Sequence, residues 1–180
     1  MIQNFPTRLI LVALHIPFYA GFAIARNAIV PLPFFPLLVL GSLLVWISVV
    51  DIERMEIPNE ASILLVFCGA MFTYLAGYNL VEYLVAGLFW AGLFWVVGVS
   101  YAKLRGWDGL GLGDVKLMAG LGLWLGFADT TIVVFAAALT GILAILVSKL
   151  AHRHSFVDIG TTAVAFGPFL CLSAWVLWLY

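Results

Sequence analysis

Charge is scarce in this sequence. Charged residues make up only 9% of the 180 residues, whereas hydrophobic residues make up 65%. A soluble domain usually carries about 25% charged residues, so these few charges cannot cover a water-soluble surface. The formal net charge is -1 and no basic stretch is dense, which argues against nucleic acid as a partner. The composition predicts an integral membrane protein surrounded by lipids.

Cysteine is also scarce. The two cysteines, Cys68 and Cys171, stand singly in apolar runs and form no Cys-x-x-Cys pair. Paired cysteines at characteristic spacings usually indicate zinc sites or disulfide frameworks. We therefore predict that the chain binds no metal and needs no cofactor.

Long apolar runs make up most of the sequence. About 20 apolar residues are enough for a helix to cross a bilayer. They predict an all-α, polytopic membrane helix bundle with about seven transmembrane helices, in a single membrane domain over residues 1–180. The turn between the fifth and sixth spans is placed at Ala128-Asp129. The predicted spans are Leu9–Ala25, Leu32–Val50, Ala61–Gly77, Tyr83–Ala102, Asp114–Phe127, Thr130–Val147 and Gly160–Tyr180.

The first span has two interpretations. Arg8, the apolar run and Ala23-Ile24-Ala25 resemble a signal peptide with its cleavage site. Pro17 inside the run, and the span that follows at once, favour a retained helix. We expect residues 1–30 to form an extra N-terminal helix ahead of a core over residues 31–180.

The cationic residues indicate the orientation of the bundle. If the seven spans are threaded in order, seven of the eight Lys and Arg residues fall on the side of the N-terminus, and Arg26 alone falls on the other. Cationic loops remain in the cytoplasm. The N-terminus and the loops at 51–60 and 103–116 are therefore predicted to be cytoplasmic.

Two aspartates stand at that cytoplasmic side. Asp51 ends the second predicted span and Asp114 begins the fifth, so we expect them at similar depth. A carboxylate near the hydrocarbon region is costly and suggests a functional site. Two neighbouring carboxylates share a proton, so one serves as base and the other as acid, as peptide hydrolysis by an activated water requires. The alternative is that both are ordinary charges at helix ends.

The residues around the aspartates favour a site. Gly111 and Gly113 would let an extended chain approach Asp114, although they also suit a flexible loop. Lys116 is close enough to influence Asp114, or else extends towards lipid headgroups. Pro58-Asn59 ends a short connector that starts at Asp51, and we expect Asn59 to cap the third helix.

These motifs together resemble the type IV prepilin peptidases, within the wider class of intramembrane proteases that share a Gly-x-Gly-Asp motif. One family pattern is an Asp, six residues, then Pro and Asn or Asp, seen here from Asp51 to Pro58-Asn59. Another is Gly-x-Gly-Asp-Val-Lys-Leu, seen at Gly111–Leu117. A third is Pro-Phe-Gly-Pro in the last span, which reads Ala-Phe-Gly-Pro at 165–168. We expect the proline of this third motif to kink the last span.

The resemblance implies that Asp51 and Asp114 are the catalytic pair of an aspartyl endopeptidase, with residues 31–180 as the peptidase core. The substrate would be a prepilin or pilin-like precursor, cut at the cytoplasmic face of the inner membrane. Long members also carry a loop with cysteine pairs and N-methylate the new terminus, and this chain resembles the short form without zinc. The residues expected to shape the site or bind substrate are Pro58, Asn59, Gly111, Gly113, Lys116, Gly167 and Pro168.

Two other functions compete with this one. Signal-peptide-peptidase-like and presenilin-like proteases share Gly-x-Gly-Asp, but they place Tyr before the other catalytic Asp and have a later Pro-Ala-Leu motif. Here Val50 precedes Asp51, and Pro-Ala-Leu does not occur. A small transporter coupled to protons or cations would need its carboxylates near the bilayer midplane. The predicted position at the cytoplasmic rim disfavours it.

Overall fold

The computed structural model describes residues 5–27, 34–106, 111–152 and 165–180. Every regular element in these ranges is an α-helix, which confirms the all-α prediction. The division of the chain into residues 1–30 and 31–180 stays a prediction. The helices are α1 (Phe5–Asn27), α2 (Phe34–Arg54), α3 (Asn59–Leu75), α4 (Leu80–Arg105), α5 (Leu112–His152) and α6 (Gly167–Leu179).

Three of the helices, α2, α4 and α5, are long and apolar enough to cross a membrane. The described parts of α1, α3 and α6 include shorter apolar stretches. The count of about seven transmembrane helices and the cytoplasmic N-terminus therefore stay predictions. The structure agrees with a polytopic membrane protein built from apolar helices.

Helix α5 covers both the fifth and the sixth predicted spans and is interrupted at Gly126. This residue has φ 75° and ψ −173°, a backbone conformation that is essentially restricted to glycine. The predicted turn at Ala128-Asp129 is wrong, because both residues are helical. The interruption lies two residues earlier, at a glycine, which has no Cβ to oppose this backbone conformation.

Glycines bring α4 and α5 into backbone contact. A Cβ on Gly122 would lie 2.5 Å from the backbone of Gly87, and a Cβ on Gly87 would lie 2.6 Å from the carbonyl oxygen of Ala119. Neither helix has room for a side chain at this crossing. Small residues serve this purpose in membrane bundles, where close packing rather than the hydrophobic effect holds helices together.

Two buried hydrogen bonds fix α3 against α5. The Thr73 hydroxyl donates to the carbonyl oxygen of Leu123 at 2.6 Å, and the Trp124 indole donates to the carbonyl oxygen of Leu65 at 3.0 Å. Polar side chains between apolar helices set their register in this way. The start of α5 is thereby held beside the start of α3.

Helix α6 packs against both α1 and α2. Trp175 of α6 lies against Gly41 of α2, where an added Cβ would come within 3.0 Å of the indole ring. The same indole donates to the carbonyl oxygen of Tyr19 in α1 at 3.0 Å. Near the C-terminal end of α1, Arg26 donates to the carbonyl oxygen of Leu179 at 2.6 Å.

The start of α6 differs from the sequence prediction. Pro168 lies in its first turn, a position that proline favours because an N–H there has no partner within the helix. The expected proline kink within the last span is therefore wrong for the described residues, since the helix starts at Gly167. Residues 160–164 of the predicted span lie outside the described residues.

Candidate active site

A cavity of about 540 Å³ lies where the end of α2, the connector to α3 and the start of α5 meet. Both predicted catalytic residues, Asp51 and Asp114, line it. Five of the seven predicted site-shaping residues line it as well. Those five are Pro58, Asn59, Gly111, Gly113 and Lys116.

Asp51 lies in the last turn of α2 and is only 6% exposed. Its Oδ2 accepts a hydrogen bond from the backbone N–H of Gly167 at 3.0 Å. A Cβ on Gly167 would lie 2.7 Å from that oxygen, closer than real Cβ contacts allow. The start of α6 therefore holds the Asp51 carboxylate at a position where a side chain would crowd it.

Asp114 lies in the first turn of α5 and is partly exposed. Its backbone N–H donates to the carbonyl oxygen of Gly111 at 3.1 Å, which closes the turn that begins the helix. The carboxylate lies within electrostatic range of Asp51. The end of α2 and the start of α5 thus bring the two acids to one cavity.

The connector between α2 and α3 contributes a residue that the sequence analysis missed. Ile57 is buried, and its side chain packs against Gly113 and Gly167. An added Cβ would lie 3.1 Å from the Ile57 Cβ at Gly113 and 3.4 Å from its Cδ1 at Gly167. One side chain thus contacts the segments that hold both aspartates. The available signal was an apolar residue directly before Pro58 in a charged loop.

The backbone of the same connector reverses sharply at Met55. The N–H of Met55 donates to the carbonyl oxygen of Asp51 at 2.9 Å and closes the last turn of α2. Met55 itself has φ 55°, a left-handed conformation that is uncommon for residues other than glycine and asparagine. The chain accepts this local cost directly beside the cavity.

Lys116 and Asn59 join the two helices that start at the cavity. The Lys116 ammonium donates to Oδ1 of Asn59. The expected capping role of Asn59 is wrong, because Pro58 occupies the N-cap position of α3 and no side chain caps it. The Asn59 amide instead fixes the lysine that follows Asp114 by two residues.

Pro168 is not brought to this cavity. It lines a separate cavity of about 260 Å³ with residues of α1 that include His15 and Tyr19. Its neighbour Gly167 contacts Asp51, whereas Pro168 lies towards the N-terminal helix. The sequence placed both in one motif, and the structure assigns them to different surroundings.

Further charged residues contribute to the lining of the cavity. Arg54, Glu56 and Glu60 line it together with the two aspartates. Two carboxyl groups that face one water-accessible space can activate a water molecule and protonate a carbonyl oxygen. The arrangement thus suits general acid–base chemistry on a polar substrate that enters from the charged end of the bundle.

Curated relatives were found for most of the chain. It is 30% identical over 142 residues to the Prepilin leader peptidase/N-methyltransferase of Neisseria gonorrhoeae, covering 78% of this chain and 46% of that protein. It is 32% identical over 146 residues to the protein of the same name from Aeromonas salmonicida, covering 79% and 48%. The match to the Escherichia coli protein of that name is 30% over 158 residues, covering 80% and 64%.

The chain spans about half the length of the first two of these relatives. No solved structure matches it. Residues 38–146, more than half of the chain, match the family model described as Type IV leader peptidase family. That segment includes both aspartates and the cavity between them. The chain therefore belongs to the Type IV leader peptidase family.

Proposed function

We propose that this protein is an intramembrane aspartyl endopeptidase that removes the leader peptides of type IV prepilins or pilin-like precursors. The observation that carries the proposal is the meeting of Asp51 and Asp114 at one cavity, where Asp114 lies within range of the charge of Asp51. The names of the relatives supply the substrate class. The proposal covers the peptidase reaction only.

In this mechanism the two carboxyl groups share one proton in the free enzyme. The ionised group removes a proton from a water molecule, whose oxygen attacks the carbonyl carbon of the scissile peptide bond. The protonated group donates to the carbonyl oxygen as the tetrahedral intermediate forms. When that intermediate collapses, the leaving amine takes the proton that the first group removed from water, and a hydroxyl group of the intermediate returns its proton to the second group. The dyad thereby regains its starting state.

The Gly167 N–H has a definite part in this scheme. It holds one oxygen of Asp51, so the other oxygen of that carboxyl group remains available for water or substrate. Fixing a catalytic group before the substrate binds removes the cost of orienting it during the reaction. Gly167 therefore acts as a positioning residue and not as a catalytic residue.

We further propose that the site lies at the cytoplasmic face of the inner membrane. Arg54 and Lys116 line the cavity, and cationic residues accumulate on the cytoplasmic side of membrane proteins. Both aspartates lie in terminal turns of their helices. A transporter coupled to protons or cations would instead need these carboxylates near the middle of its spans.

Coexpression with a candidate prepilin tests the proposal. The wild-type chain is expected to shorten the precursor by its leader. Asp51→Asn and Asp114→Asn are each expected to reduce the rate by about 100-fold or more, since each removes a group needed for acid–base transfer. The shortened product is measured by mass spectrometry of the new N-terminus.

Asp129→Asn is the matched control, because Asp129 lies exposed in the same helix as Asp114 and does not line the cavity. It is expected to cleave at the wild-type rate. Normal cleavage by either variant of the catalytic pair would reject the dyad. A wild-type chain that leaves the precursor intact would reject the substrate class.

A further inference from the structure

A second cavity adjoins the catalytic one. It has a volume of about 720 Å³ and lies between α4 and the start of α5. Gly111 and Leu112 line both cavities, so the segment that leads to Asp114 forms the boundary between them. An extended chain that leaves the catalytic cavity across this boundary enters the second cavity directly. We refer to the second cavity as the α4 groove.

The α4 groove has a floor of small and apolar residues. Gly98 and Ala102 line it one helical turn apart, with Val99 beside them, and small residues at this spacing allow another helix to approach closely. Trp95 and Leu112 also line the groove and are 52% and 67% exposed, so they form its rim. The shape is that of a trough along a helix.

The groove follows α4 towards the charged end of the bundle. Its lining on this helix extends from Phe94 to Lys103, and nine steps of 1.5 Å correspond to roughly 13 Å along the helix axis. Lys103 belongs to the cationic set that predicts the cytoplasmic side. The trough therefore runs from the apolar part of α4 to the level at which the catalytic cavity begins.

The two cavities differ in chemical character. The catalytic cavity is lined by Arg54, Glu56, Glu60 and Lys116 in addition to the aspartates. On the α4 groove, Lys103 is the sole charged residue among those the structure describes in its lining. A chain bound across the boundary thus meets charged groups on one side and apolar groups on the other.

We propose that the α4 groove binds the hydrophobic helix of the substrate that directly follows the scissile bond, which rests on the proposed peptidase function. The family resemblance implies a precursor that is cut on the cytoplasmic side of its hydrophobic segment, so the chain on the two sides of the scissile bond changes from polar to apolar, as the linings of the two cavities do. Lipid would cover any apolar face of the bundle, but it would not explain why this trough ends at the catalytic segment. A helix in the groove places its own N-terminal junction beside Asp114.

Disulfide cross-linking tests this binding site. The enzyme carries Asp51→Asn to preserve the complex and Val99→Cys in the groove, and the prepilin carries one cysteine in its hydrophobic helix, two turns after the junction. Val99→Cys is expected to form a disulfide with the substrate in membranes. Val97→Cys is the control, because Val97 is 51% exposed on the same helix and does not line the groove.

The outcomes are distinct. A cross-link from Val99→Cys and none from Val97→Cys supports the proposal. Equal cross-linking from both positions, or from neither, would overturn it, and a disulfide between two copies of the enzyme would assign the groove to self-association. The enzyme without an introduced cysteine controls for the native thiols of Cys68 and Cys171.

A kinetic test separates this inference from the proposed function. Gly98→Leu fills the floor of the groove and is expected to reduce cleavage of the full prepilin at least about tenfold, because a misplaced substrate loses its alignment with the catalytic groups. Cleavage of a short peptide that spans the junction without the hydrophobic helix should remain unchanged. That peptide also shows whether the variant has folded.

Gly92→Leu is the matched control, since a Cβ there has no other atom within 4 Å and Gly92 does not line the groove. If the wild-type enzyme is active and Gly98→Leu cleaves the prepilin normally, the proposed role of the α4 groove is overturned and the proposed peptidase function stands. Equal losses on prepilin and peptide would also overturn it. An inactive wild-type enzyme would reject the proposed function first.

Discussion

The two aspartates of the cavity are held in different ways. Asp51 is buried, and its carboxylate is bound by a backbone N–H that lies 116 residues further along the chain. Asp114 is partly exposed, and its position follows from the turn closed by its own N–H and Gly111 three residues before it. The position of the Asp51 carboxylate depends on how α6 packs against α2. The position of Asp114 depends on how α5 starts.

This difference predicts where the site is fragile. Asp51 is displaced by any change that moves the start of α6, whereas Asp114 is displaced by changes in the local glycine segment. The two arrangements meet at Ile57, whose side chain contacts Gly113 and Gly167. Substitutions at these three residues therefore separate the long-range arrangement from the local one.

The largest effect is expected from Gly167→Ala. The new methyl group would lie 2.7 Å from Oδ2 of Asp51, so the carboxylate or the start of α6 must move. The displacement of the carboxylate that relieves this contact is expected to lower the rate of cleavage about 100-fold. Gly113→Ala should reduce cleavage less, because its methyl group meets the Ile57 side chain at 3.1 Å and not a carboxylate oxygen of Asp51.

The measurement is the cleavage rate of both variants in the same detergent, with thermal unfolding as the control for folding. We expect wild type to cleave fastest, Gly113→Ala more slowly and Gly167→Ala most slowly. A slower rate for Gly113→Ala than for Gly167→Ala would contradict this expectation. It would show that the local turn at Asp114 is more sensitive than the long-range contact at Asp51.

A smaller loss is expected from Ile57→Ala. Removing the shared contact leaves a void beside both glycines and loosens the connector between α2 and α3. We expect cleavage to fall about tenfold, while the longer aliphatic side chain of Ile57→Leu keeps most of the activity. Cleavage assays of the two variants check this expectation. Equal activity of Ile57→Ala and wild type would remove Ile57 from the set of positioning residues.

The link between Lys116 and Asn59 should have a more modest effect. Their hydrogen bond is exposed, and charged hydrogen bonds of this kind contribute about 1 kcal/mol. Lys116→Met and Asn59→Ala should each reduce cleavage several-fold, and the double variant should lose little more than either one. A double-mutant cycle on the cleavage rate measures this coupling. Strictly additive losses would show that the bond does not contribute.

The smallest effect is expected at Met55. Its left-handed conformation costs about 1 kcal/mol, which Met55→Gly should recover as a higher unfolding temperature in detergent. Met55→Ala keeps the Cβ and serves as the matched control, so it should show no such gain. An equal rise in both variants would attribute the effect to loss of the exposed side chain and not to the backbone.

Much of this arrangement could be predicted from the sequence. The apolar runs predicted the helices, because hydrophobicity over about 20 residues is a strong signal. Asp51 and Asp114 were predicted to share one region, and the structure places both at one cavity. Both results depend on patterns that are local in the sequence.

The remainder depends on contacts between distant segments. The interruption at Gly126 was missed because the stretch contains several glycines, and only packing determines which one leaves the helical conformation. Ile57 resembled an ordinary loop residue until two glycines from other helices were placed beside it. The capping role assigned to Asn59 was wrong because a lysine from α5 occupies its side-chain oxygen.

The bond from Gly167 to Asp51 has a consequence for inhibitor design. Its donor is a main-chain N–H, which amino-acid substitutions other than proline leave in place, and the space around it excludes a Cβ. A compound that competes for this donor would contact an atom that most substitutions at residue 167 leave in place. Under the proposed function, a side chain at residue 167 that crowded the compound would also crowd Asp51 and lower the rate of cleavage.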